Sequence, residues 1–165
     1  MKDEKNVMID AKNDTFYSII ELIQKIRNVR AVYHVDPSEK PWLTIIGEKA
    51  DWTPFVPLIE RLARIEEIVI TTDPAQPKET ARIKSGNAAV YVHLSGFIDI
   101  EKERARLLKE KESAEKYQLG IKRRLADENF TSKAPAHILE QNRTSLAETE
   151  KKIIELEKYL ADLVL

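Results

Sequence analysis

The last 67 of the 165 residues hold one proline, Pro135, and one glycine, Gly120, among mostly Glu, Lys, Arg, Leu, Ala and Ile. So few breakers among strong helix formers leave long helices as the expected structure. The chain ahead of residue 98 reads differently. It carries six of the seven prolines and both tryptophans, the mixed signals of a small α/β unit. The expected organisation is a small α/β domain over residues 1–98 and a helical arm over residues 99–165.

Within the arm, Ile100, Leu107, Ala114 and Ile121 recur every seven residues, while their partner positions Arg104, Lys111, Gln118 and Leu125 are mostly polar. Further on, Leu139, Asn142, Leu146, Thr149, Ile153, Leu156, Leu160 and Leu163 alternate by three and four. This spacing on both sides of a break predicts two helices packed on each other. The break falls at Asn129–Ala134, with Pro135 suited to the first turn of the second helix. A connection of about six residues makes antiparallel neighbours the natural outcome. Helices of roughly 28 residues would form an arm on the order of 40 Å long. The polar seam, with a mid-helix Gly120 costing up to about 1 kcal/mol against Ala, predicts an arm that frays when free.

In the first part, Phe16, Ile19, Ile20, Ile23, Ile26 and Val29 make one apolar helical stripe, with Asp14 or Thr15 available as N-cap. Residues 29–35 also alternate like a strand, but Asp36-Pro37 supplies a helix stop and favours helix. Trp42–Ile46 is a short strand, and Asp51 can cap a helix carrying Phe55, Leu58, Ile59 and Leu62. Glu67–Thr72 is a second strand. Ala81–Lys84 and Ala88–Val92 flank Ser85-Gly86-Asn87 as a hairpin. The fold class is therefore α+β: a helix-strand-helix-strand-strand-strand unit followed by a long antiparallel two-helix coiled-coil hairpin.

Much chemistry is excluded by composition. There is no cysteine, hence no thiolate metal site, disulfide or cysteine nucleophile. The four glycines are scattered, so no phosphate-cradling loop can form. The longest apolar run, Ala88–Val92, is far too short to span a membrane, and the acidic N-terminus is unlike a signal peptide. A soluble, cytoplasmic protein is the expectation. His34, His93 and His137 are far apart, and His93 in its strand reads as a packed or surface residue rather than a ligand. Ser95-Gly96 lacks the flanking glycines of a nucleophile elbow. No catalytic residue, metal site or cofactor site is assigned.

The net charge of −1 gives no bulk attraction to nucleic acid, so a basic patch has to be local. Between residues 116 and 133, Lys116, Lys122, Arg123, Arg124 and Lys133 outweigh Asp127 and Glu128 by three charges, whereas residues 148–165 are net −2. A positive arm tip with Tyr117 or Phe130 exposed could meet phosphate and stack on a base. Ordinary solvated helix surface is the competing reading.

The run Ser95–Leu107 and the stretch Leu125–Pro135, with its Asn-Phe … Lys-Ala-Pro pattern, resemble the arm of valyl-tRNA synthetases. Ile26-Arg27-Asn28-Val29-Arg30, followed by Pro37-Ser38-Glu39-Lys40, resembles the last helix of that family's anticodon-binding region. The resemblance implies a segment comprising the end of the anticodon-binding region and the C-terminal coiled-coil arm. The family's parent enzyme attaches valine to its tRNA using ATP. Its catalytic Rossmann domain, ATP-site signatures and editing domain find no counterpart here, so the segment itself needs no cofactor. The implied partner is valine-specific tRNA, met at its outer corner; the tip's charge offers Lys116, Lys122, Arg123, Arg124 and Lys133 for that contact, and Phe130 either stacks on a base there or, the favoured reading, folds back to seal the turn. Neither DNA nor membrane is expected as a partner. No oligomer is required, although arms can pair in a crystal through the weak seam. The alternative is a coiled-coil module that docks a protein.

Overall fold

A 30-residue helix, α1 (Asp3–Val32), opens the chain. The computed structural model describes residues 3–165 except Asn87, and side chains from Phe16 onward. α1 passes through Asp14 and Thr15, the expected cap, because neither residue stops a helix and no proline precedes Pro37. Ile19, Leu22, Ile23, Ile26 and Val29 form its buried stripe, whereas Phe16 is 49% exposed. The helix stops before Asp36-Pro37. His34 takes a left-handed φ of 53°, and the Val35 amide donates to Arg30 O at 2.9 Å and the His34 amide to Ala31 O. This is a Schellman closure, with histidine where glycine is usual.

The other elements of this unit are β1 (Leu43–Ile46), α2 (Lys49–Trp52), a 3-10 turn (Thr53–Phe55), α3 (Val56–Ala63), β2 (Ile68–Thr71), β3 (Thr80–Ser85) and β4 (Ala88–His93). Asp51 therefore lies inside a short helix rather than capping a long one. Pro54 and Pro57 each lack an amide hydrogen and divide the expected helix into three pieces. The hairpin turns at Gly86, whose φ is 57°; Asn87 lies outside the described residues.

A two-residue strand, β5 (Leu163–Val164), completes a sheet of order β2-β1-β4-β3-β5. β1 and β2 run parallel, and the remaining pairs are antiparallel. Leu43, Ile45, Ala81, Ile83, Val90 and Val92 alternate onto one face and, with Leu22, Ile26, Ile59 and Ala63, form the core. The chain divides into two compact units: residues 1–100 with 162–165, and residues 101–161.

Arg30 is buried, and backbone carbonyls surround its guanidinium. Its Nη1 donates to Ala63 O at 2.8 Å and Arg64 O at 3.1 Å, and its Nη2 to Glu39 O at 2.8 Å. Arg27 Nε donates to Leu62 O at 2.7 Å. Two cations one turn apart thus serve the open carbonyls of α3, at the negative end of its dipole. Burial, then the charge of Arg64, lowers the Arg30 pKa. Asp36 Oδ1 accepts from the Ser38 amide at 2.7 Å and shapes the loop that Arg30 clamps. Arg30→Leu is expected to lower the unfolding free energy by about 2–4 kcal/mol, since the carbonyls lose their donors. Chemical denaturation measures this.

Of the two places open to His93 in its strand, packed or at the surface, the structure has it packed. It stacks on Trp42, with ring centroids 3.3 Å apart and planes 8° from parallel, and its Nε2 meets Thr44 Oγ1 at 2.9 Å. Burial lowers its pKa to about 4. The unfolded chain binds that proton near pH 6.5, so this part of the stability is complete above pH 6.5 and is lost as the pH falls from there toward 4. A loss on the order of 3 kcal/mol is expected over that window, and His93→Gln should flatten it. Denaturation midpoints taken at successive pH values test the slope.

Candidate nucleic-acid interface

The second unit is built from α4 (Ile100–Ala126), α5 (Glu128–Lys133) and α6 (Ala136–Asp162). Leu107, Ala114 and Ile121 of α4 and Thr149, Ile153 and Leu156 of α6 are buried, as the seven-residue spacing predicts. Cross-helix pairs fix the antiparallel register. Lys111 Nζ lies 3.0 Å from Glu157, Lys152 2.8 Å from Glu110 and Lys122 3.0 Å from Glu150. Gln118 Nε2 donates to Glu150 Oε1 at 3.2 Å. The polar partner positions Lys111 and Gln118 are therefore satisfied across the hairpin. α4 runs unbroken through Gly120.

These contacts leave their mark on the charges. Hydrogen bonds to Glu157 and then Glu115 raise the Lys111 pKa, and the bond from Lys152 is the largest of the contributions lowering that of Glu110. Glu103, bonded to Arg106 Nε at 2.7 Å, is the main cause of the raised Arg106 pKa.

The break between the long helices is itself helical. Asp127 caps α5, its side chain accepting from the Asn129 amide at 2.9 Å, and the Ala134 amide closes the turn on Phe130 O at 2.8 Å. Pro135 sits just before α6, where its carbonyl accepts from the Ile138 and Leu139 amides. Leu163, which fits the heptad spacing, instead joins the sheet as part of β5.

The structure separates the expected site residues. Lys122 lies beside the seam and pairs with Glu150, half exposed. Lys116 is about 180° around α4 from Leu107, and Arg123 shares that outward side. Lys116, Arg123 and Arg124 are exposed and form no ion pair among the described residues. Lys133 ends α5, exposed, while Phe130 within α5 is half-buried. Tyr117 is the more open aromatic, 57% exposed. A local charge count centred on the tip passes over Lys109, seven residues before Lys116 and exposed on the same side. Lys102, Lys109, Lys116 and Arg123 form a seven-residue series of cations offset from the apolar one, which the sequence contains in plain view. The outward side of α6 mixes Glu140, Glu148 and Glu155 with Lys151 and Lys158. Among the described residues no group of three or more His, Asp or Glu side chains could hold a metal ion, and no helix is long and apolar enough to cross a membrane.

Two long helices joined by a capped turn, with a seam of alternating apolar and ion-pair layers, define residues 101–161 as an antiparallel coiled-coil hairpin. Residues 99–164 match the family described as the valyl tRNA synthetase tRNA binding arm. Aligned segments of valine–tRNA ligases are 37% identical in Zymomonas mobilis (98% of this chain, 19% of the relative) and 31% identical in Prochlorococcus marinus (96% and 18%). The corresponding enzyme of Fusobacterium nucleatum is 29% identical (93% and 18%). Residues 99–164 belong to the family of valyl tRNA synthetase tRNA binding arms, and nearly the whole chain is similar to one segment of valine–tRNA ligases. The chain spans less than one fifth of the length of these curated relatives.

Asp127→Ala is expected to lower the stability of the arm by about 1 kcal/mol through loss of the cap. Thermal unfolding followed by circular dichroism reads the change.

Proposed function

We propose that this chain is a non-catalytic tRNA-binding part of a valine–tRNA ligase, with the arm tip as its RNA contact. The observation that carries the reading is the division of the arm's cations. Lys111, Lys122 and Lys152 pair across the hairpin, whereas Lys116 and Arg123 on the outward side of α4, Arg124 on its flank and Lys133 at the end of α5 have no ion-pair partner among the described residues. Cations left out of a protein's own pairing are available to phosphate. Lys122 stays in the proposed set, because an exposed pair such as Lys122–Glu150 is worth only roughly 0.2–1 kcal/mol and can exchange partners. Phe130 either stacks on an exposed base or seals the turn, and its half-burial favours sealing.

The whole enzyme's activity, attaching valine to its tRNA with ATP, is part of the same proposal, as is a cytoplasmic setting. So is contact with the outer corner of the tRNA, where the D and T loops meet. Residues 1–98 are read as the distal part of the anticodon-binding region. In these residues the Arg27 and Arg30 motif serves the fold. No cofactor is assigned to the segment. A protein-docking role would call for a continuous apolar stripe on an outer face. The exposed Leu108 and Leu119 lie eleven residues apart with Glu112 and Glu115 between them, which is the scattered pattern of ordinary surface.

Filter binding of a valine tRNA transcript at two salt concentrations tests the reading. Replacing Lys116, Lys122, Arg123, Arg124 and Lys133 by Ala should weaken binding at least tenfold and flatten the log–log salt slope by about 1 for each phosphate no longer neutralised. The weakening should be similar for tRNAs of other sequence. Unchanged affinity and slope would place the RNA site elsewhere.

A further inference from the structure

Gly120 occupies a position that the arm's own packing does not explain. It is exposed in the unbroken α4 helix, and a Cβ placed on it would meet no atom within 4 Å. Neither a close helix–helix approach nor an unusual backbone conformation calls for glycine there. The surface neighbours of a helical residue lie three and four positions away. For Gly120 these are Lys116, Tyr117, Arg123 and Arg124, all exposed. A bare stretch of helix backbone is thus ringed by three cations outside any ion pair among the described residues and by one open phenol ring. A missing side chain that nothing inside the protein fills leaves room for another backbone to come close. The cations suit a phosphate chain, and the ring suits a stacked base.

We propose that Gly120 is the floor of a backbone-contact notch. An RNA sugar–phosphate chain lies against α4 there, its phosphates held by Lys116, Arg123 and Arg124 and an adjacent base stacked on Tyr117. The inference rests on the tRNA-binding reading and adds the place where the strand lies: the outward side of α4, away from the seam. It also gives the stacking role to Tyr117, leaving Phe130 to the turn.

The test uses the full 165-residue chain with Gly120→Ala and Gly120→Gln, a valine tRNA transcript in filter binding, and thermal unfolding. Both residues form helix better than glycine and meet open space, so the melting temperature should hold or rise. Affinity should nevertheless fall, about threefold for Ala and about tenfold or more for Gln, with the salt slope unchanged because every cation remains. A glycine of purely structural significance would move the melting temperature alone. If Gly120→Gln binds tRNA as tightly as the unsubstituted chain, the notch is overturned. Should a Lys116, Arg123 and Arg124 triple Ala variant lose binding while Gly120→Gln does not, the notch falls and the tRNA reading stands. If the unsubstituted chain does not bind tRNA, both fall. Polyglutamate bound as tightly as tRNA, and as sensitive to Gly120→Gln, would assign the notch to acidic peptides and overturn it for RNA.

Discussion

A hairpin of two helices has a single interface, and every property of the arm follows from how that interface is filled. Each helix can bury only one stripe. Here the stripe is thin: Ala114 and Thr149 occupy seam positions where larger apolar residues would bury more surface. Charged pairs flanking the seam supply part of the specificity. Lys111 with Glu157 and Lys152 with Glu110 couple correctly only in the antiparallel register seen. The same economy sorts the cations. Those within reach of the other helix are engaged, and those behind it face water.

The sheet unit rests on a different solution. Arg30 is a buried cation neutralised by peptide dipoles, with Ala63, Arg64 and Glu39 carbonyls around it. α3 has only eight residues, and its carbonyl end would otherwise be left open against α1. One side chain therefore joins the first helix, the end of the third and the loop between helix and sheet. A lysine could not replace it, because only the planar fork presents several donors in fixed directions.

The two parts of the chain differ in how much of this their sequence discloses. Long heptad spacing is redundant, so Leu107, Ile121, Ile153 and Leu156 can be placed in the seam from their positions alone. Leu163 defeats the same logic: it fits the heptad and a strand equally, and only the pairing of Leu163 and Val164 with β3 decides. α5 leaves no clear trace in the sequence, because Asn129-Phe130-Thr131-Ser132 has little helix propensity and its helix depends on the Asp127 cap. The clamp made by Arg27 and Arg30 is not legible in their helix, since their acceptors at Leu62 and Ala63 lie more than thirty residues further on. For the candidate interface, composition locates the cluster, but the helical angle separates Lys122 from Arg123 and brings in Lys109.

The series Lys109, Lys116 and Arg123 behind α4, with Glu112 among it, stands against a mixed face behind α6 where Glu140, Glu148 and Glu155 outnumber Lys151 and Lys158 by one, so the hairpin has a small transverse electrical polarity. A chain of net charge −1 exerts almost no pull on a distant polyanion. Inside a Debye length, about 8 Å at physiological salt, the two sides become distinguishable. A polyanion brought within that distance would feel the difference between the two sides as a torque favouring the α4 side.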